Sequence, residues 1–116
     1  MENHKGSCHC GKVKFTVNAE LKAGLACNCS MCGRKGTLLA FVPTAQFHLD
    51  SGEANLTDYQ FGKKRIHHLF CKTCGVTSFA KGTGPNGEVM AAINLRCLEN
   101  FDVNSFEVTQ FDGKAI

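Results

Sequence analysis

Cys8-His9-Cys10-Gly11-Lys12-Val13-Lys14-Phe15-Thr16-Val17 decides how this chain folds. Two cysteines one residue apart are followed by a glycine, and from Lys12 onward polar and apolar side chains alternate. That alternation predicts a strand over 12–17 with one buried face, entered directly from a sulfur-rich turn. Phe70-Cys71-Lys72-Thr73-Cys74-Gly75, starting its cysteines 63 residues after Cys8, is a second short pair with a glycine behind it. Two short thiol pairs far apart in sequence are the usual way to assemble a closed four-sulfur metal site, because the ion then staples distant segments together. Cys8, Cys10, Cys71 and Cys74 are therefore read as one structural zinc site.

A third cluster lies between them, Cys27-Asn28-Cys29-Ser30-Met31-Cys32. Its three thiols are close enough in sequence to hold one ion and leave its fourth position for water or substrate. Three thiolates donate much charge, so such a zinc is a weak Lewis acid, better suited to lowering the pKa of an incoming thiol than to making hydroxide. The spacing therefore predicts two zinc ions, one structural and one catalytic on Cys27, Cys29 and Cys32. Cys97, the eighth cysteine, is the rival fourth ligand for the middle cluster; the plainer reading is a buried thiol packed beside Leu95 and Leu98. Glycine follows each cluster, at Gly11, Gly33 and Gly75, where it permits the positive φ of a tight knuckle.

Disulfides are the competing use of so many cysteines. Bridging Cys8 to Cys10, or Cys27 to Cys29, would close a small strained ring. The amino terminus lacks the apolar stretch of a secretory signal, and no apolar run reaches bilayer length. The chain reads as a soluble cytoplasmic protein with no membrane contact, where thiols stay reduced and serve metals. Its formal charge of +3 counts cysteines as neutral; seven zinc-bound thiolates and two divalent ions bring it to zero. Basicity is thus no argument for nucleic acid, and Lys63-Lys64-Arg65 reads as a solvated turn.

With 116 residues, 43% hydrophobic composition and nine phenylalanines, the chain can build one modest core. Further strands are expected at 25–27, 37–42 (ended by Pro43), 47–49, 76–80, 89–94 and 106–111, with a hairpin joining 56–61 to 65–70. One helical turn is expected over 30–35, capped by Ser30 and stopped at Gly36. His4 is assigned to a flexible terminus. His67 and His68 must face opposite sides of a strand, and they, His9 and His48 read as ordinary surface or core histidines. Asp58, Tyr59 and His68 are the candidates for a general acid or base. The sequence specifies no oligomeric state.

The ordered set Gly6-Ser7-Cys8-His9-Cys10-Gly11-Lys12-Val13, Cys27-Asn28-Cys29-Ser30-Met31-Cys32, Tyr59-Gln60-Phe61-Gly62, Phe70-Cys71-Lys72-Thr73-Cys74-Gly75 and Asn94-Leu95-Arg96-Cys97-Leu98 resembles the glutathione-dependent formaldehyde-activating family, which includes centromere protein V. The resemblance implies one domain over 4–113 with a mainly β architecture, the β-tent fold of several short coiled antiparallel sheets stapled by zinc. It implies structural zinc on Cys8, Cys10, Cys71 and Cys74, and catalytic zinc on Cys27, Cys29 and Cys32. It further implies a carbon–sulfur lyase that uses a small thiol such as glutathione, with S-hydroxymethylglutathione formation from formaldehyde as the founding reaction. The same residues also fit a non-enzymatic zinc-binding module for protein or chromatin contacts, or a thiol redox switch.

Overall fold

The computed structural model describes residues 2–27, 31–60, 66–83, 87–99 and 101–111, apart from the side chains of Cys32, Val103 and Phe111. The expected alternation is realised in β2 (Lys14–Asn18), where Phe15 and Val17 are fully buried while Lys14 and Asn18 face water. β2 lies at the centre of a three-stranded antiparallel sheet between β1 (Asn3–Ser7) and β5 (Phe47–Ser51). β1 corrects the expectation of a flexible terminus: His4 pairs with Val17 and its ring meets Glu2 at 3.3 Å. The segment has no apolar residue to announce a strand, and the backbone ladder to β2 alone makes it one.

The other strands form a seven-stranded sheet in the order β10-β3-β4-β9-β8-β7-β6. In chain order these are β3 (Ala23–Cys27), β4 (Leu39–Pro43), β6 (Leu56–Tyr59), β7 (Ile66–Cys71), β8 (Phe79–Thr83), β9 (Val89–Asn94) and β10 (Glu107–Phe111). All pairings are antiparallel except β3 with β10, which is parallel. The expectation of antiparallel sheets alone is corrected there. A single helical turn, α1 (Cys32–Lys35), follows β3. Ser30, its expected cap, lies outside the described residues, as does Lys63-Lys64-Arg65.

Two boundaries move for the same reason. β8 begins at Phe79 rather than residue 76, because the Val76 carbonyl accepts from the Cys71 N–H and closes the second knuckle. β2 begins at Lys14 because the Val13 carbonyl does the same for Cys8.

The core lies between the sheets. Phe15 packs against Phe47 at 5.8 Å between ring centroids, and Phe47 against Phe79 of the larger sheet at 4.6 Å. Phe15 and Phe79, fully buried, each contribute about 1.5–3 kcal/mol, and the half-buried Phe47 less. Three crossings join the sheets. The first runs from β2 to β3 through residues 19–22, the second is a 3-10 turn at Thr44–Gln46, and the third passes through Gly52 and a 3-10 turn at Glu53–Asn55. Gly52 has φ +92°, and a Cβ there would run into the Lys12 carbonyl and Val13 Cα, so only glycine fits against the first knuckle. The radius of gyration, 13.3 Å, is that of one compact domain of this length, about 13 Å.

Candidate metal centre

The fold brings both cysteine pairs to one point. The Sγ atoms of Cys8, Cys10, Cys71 and Cys74 all lie within 4.8 Å of one another. Each pair sits on a knuckle of the same design. The N–H of the first cysteine bonds the carbonyl five residues on, at 3.0 Å in both cases, and the closing glycine has φ +81° at Gly11 and +80° at Gly75. Gly33 departs from this pattern: it lies within α1, and the positive φ falls at Gly36 instead.

Whether a metal fits can be judged from the sulfur spacing. Cys10 Sγ lies 3.6 Å from both Cys8 Sγ and Cys71 Sγ. A tetrahedral ion with metal–sulfur distances near 2.3 Å sets its ligands about 3.8 Å apart, whereas a disulfide needs about 2.05 Å. The spacing is that of ligands around one ion. Charge leads to the same conclusion. Backbone N–H groups, that of Cys74 foremost, hold the Cys71 thiol down at about 6, and the Cys74 thiol is lowered chiefly by the Cys10 backbone. Cys10 has a donor in the Lys12 N–H, yet desolvation and the neighbouring sulfurs of Cys71, Cys8 and Cys74 push it up to about 11. The cluster accepts negative charge at some sulfurs and resists it at another; a central cation removes that conflict.

Two donors outside the ligand set support it. The Val13 N–H points at Cys8 Sγ at 3.4 Å, and Asn55 Nδ2 donates to Cys71 Sγ at 3.1 Å while also meeting Thr73 Oγ1 at 3.1 Å. Asn55 escaped the sequence reading because one asparagine in a Glu-Ala-Asn turn carries no distinguishing signal. Its role arises from the crossing at Gly52 that carries it against the second knuckle. Removing a donor that steadies a metal ligand weakens metal binding about 10–100-fold. Asn55→Ala is accordingly expected to lose zinc to a competing chelator at a correspondingly lower chelator concentration, with the native fold kept while zinc is in excess.

Strand register places Cys27, the first thiol of the middle cluster, on the other side of the larger sheet. Leu25 and Leu39 are directly paired, so they share a face, and two residues along each strand that face also carries Cys27 and Phe41. The ladder extends it through Ala92 and Ala80 to His68 and Tyr59. The opposite face carries Ala40, Val42, Ile93, Phe79 and Cys71, all in the core. The four-sulfur group therefore lies on the core side and Cys27 on the outer side. Of its partners, Cys29 lies outside the described residues, and Cys32 is placed only as the first residue of α1. Cys97 is not one of the four clustered sulfurs, although Cys8 and Cys74 lie near enough to act on it: its Sγ donates to the Thr77 carbonyl at 3.7 Å and accepts from Asn94 Nδ2 at 3.6 Å. Burial raises its pKa, as befits a packed thiol.

Residues 3–110 match the model of the family described as glutathione-dependent formaldehyde-activating enzyme. The chain belongs to that family. A crystal structure of a Rhodobacter sphaeroides protein is also similar, with a TM-score of 0.77 and 30% identity over 90% of this chain and 99% of the other. The family match covers all three cysteine clusters, so both knuckles and the middle cluster belong to the part of the chain that carries the family pattern.

Within this glutathione-dependent formaldehyde-activating domain the three acid–base candidates separate. Asp58 is exposed and paired with His67 Nδ1 at 2.7 Å. Tyr59 and His68 are direct cross-strand partners on the Cys27 face. His68 is buried, and burial, followed by the nearby Lys35 charge, lowers its pKa against a weaker pull from Asp58. It is therefore neutral at pH 7. No helix among the described residues is long and apolar enough to cross a membrane.

Proposed function

We propose that this protein is a zinc-dependent carbon–sulfur lyase of the glutathione-dependent formaldehyde-activating type, with two zinc ions in a cytoplasmic setting. Cys8, Cys10, Cys71 and Cys74 would hold the structural ion. Cys27, Cys29 and Cys32 would hold the catalytic one, which when bound lowers the pKa of an incoming thiol such as glutathione and presents it as a nucleophile. The observation that carries this reading is the placement of the closed four-sulfur group on the core side and of Cys27 on the outer face. Cys27 and the four-sulfur group lie on different sides of one sheet, which supports reading Cys27 as belonging to a separate site.

The reaction is an addition. A bond forms between the thiol sulfur and the carbonyl carbon, the C=O π pair moves to oxygen, and the thiol proton ends on the new hydroxyl. His68 and Tyr59 lie four and five strands from β3 in the larger sheet, out of reach of that proton, and solvent carries it. A glutathione–formaldehyde mixture containing the zinc-loaded protein is expected to form S-hydroxymethylglutathione faster than the spontaneous reaction, as read by NMR of the adduct methylene. No acceleration over the protein-free mixture would remove this substrate pair.

A further inference from the structure

β3 and β4 separate beside the Leu25–Leu39 pair. Antiparallel register would continue that pair to Ala23 and Phe41, but the ladder stops, and a cleft of about 530 Å³ opens between the strands. Its cause lies in the crossing from β2. Ala19 and Leu21 are buried in the core and hold the start of β3, while β4 stays on β9 as far as Pro43. The core side of the cleft is closed by Leu21, Ala40 and Val42, all buried, so it opens toward the face shared by Leu25 and Thr109.

Two hydrogen bonds fix the direction of the main chain on both walls. The Glu107 N–H donates to the Lys22 carbonyl at 2.9 Å, so Lys22 and Gly24 turn their polar groups toward β10. Successive residues of a strand turn theirs to opposite sides, and Ala23 and Leu25 therefore face β4. The Leu95 N–H donates to the Leu38 carbonyl at 2.7 Å, so Leu38, Ala40 and Val42 face β9, and Leu39 and Phe41 face β3. Pro43 fits this alternation, because its nitrogen, which carries no hydrogen, falls on the side turned away from β9. Leu25 and Leu39 meet across the closed end. Ala23 and Phe41 each turn an N–H and a carbonyl into the cleft, and both residues are exposed.

Such a cleft carries the donors and acceptors of two facing strand edges. Their partial charges are complementary to the main chain of an extended peptide, which offers N–H and C=O groups to both sides in turn. We propose that the cleft between β3 and β4 binds a segment of a partner polypeptide in the extended conformation, as an added strand read by its main chain. The floor of Leu21, Ala40 and Val42 favours an apolar side chain on the inner face of that segment, and water favours a polar one on the outer face, so the recognised sequence alternates. This goes beyond the thiol chemistry and does not depend on it.

With isotope-labelled, zinc-loaded protein, acetyl-Thr-Val-Thr-Val-Thr-amide is expected to shift the amide resonances of Ala23 and Phe41 saturably. The same peptide N-methylated at both valines loses the donors along one edge and keeps its side chains. It should bind at least about tenfold more weakly, the effect of one or two main-chain bonds. Phe41→Pro should weaken the unmodified peptide by a similar factor and keep the melting temperature within a few degrees, because the Phe41 N–H has no part in the β9 ladder. Should Phe41→Pro fail to fold, the two peptides alone decide. Equal binding of the two peptides, or shifts that leave out Ala23 and Phe41, would overturn the proposal. So would resonances of those two residues that move with protein concentration and ignore the peptide, which would give the cleft to a second copy of this chain.

Discussion

Cys71→Ser is expected to leave a chain that no longer unfolds cooperatively at any temperature. Cys71 is fully buried, belongs to the core, and bridges β7 to the knuckle that Asn55 supports. Structural zinc contributes about 10–16 kcal/mol at neutral pH. A small domain has about 5–15 kcal/mol of net stability in total. Losing that term removes about as much as the whole net stability of such a domain, and the core here is a modest one shared by two sheets. Circular dichroism during heating, together with zinc analysis, is the measurement. A transition within a few degrees of the parent would show that the contacts among Phe15, Phe47 and Phe79 hold the sheets together without the staple.

Cys27→Ser should have the opposite profile. Cys27 ends β3 on the outer face, is only half-buried, and lies outside the core cluster. Its loss should change stability by no more than about 1 kcal/mol, a melting shift of roughly 4–8 °C at most. Zinc should fall from two ions per chain to one, and adduct formation should drop to the spontaneous rate. A Cys27→Ser protein that kept both ions and full activity would take the middle cluster out of the chemistry. The pair of variants thus separates the two sites by outcome: one loses the fold, the other only the reaction.

Much of this arrangement was legible before the coordinates, and the reasons differ from element to element. The alternation around Phe15 and Val17 fixes β2 because only one face of that strand is buried. Pairing of the two knuckles follows from cysteine spacing and the glycines behind them, since four sulfurs need two turns of that kind. β1 was not legible, because Asn3-His4-Lys5-Gly6-Ser7 is held by backbone bonds to β2 and carries no apolar signature. The start of β8 was misplaced for a related reason: Val76 is apolar, yet its carbonyl belongs to the knuckle. β4 runs from Leu39 through Pro43 instead of from 37 to 42. Leu38 is engaged by the Asn94 side chain and by the Leu95 N–H, while Pro43, at the strand's end, still pairs with Met90. Which face Cys27 occupies depends on register, and no local pattern encodes the single Leu25–Leu39 pairing that decides it.

Cadmium NMR of the metal-substituted protein tests the central claim most directly, because each bound ion gives its own resonance. Two resonances are expected, one in the position of a four-sulfur site and unaffected by added thiol, the other moving as thiol is titrated in. A single resonance, or two that both ignore the thiol, would contradict an open three-sulfur centre at Cys27, Cys29 and Cys32.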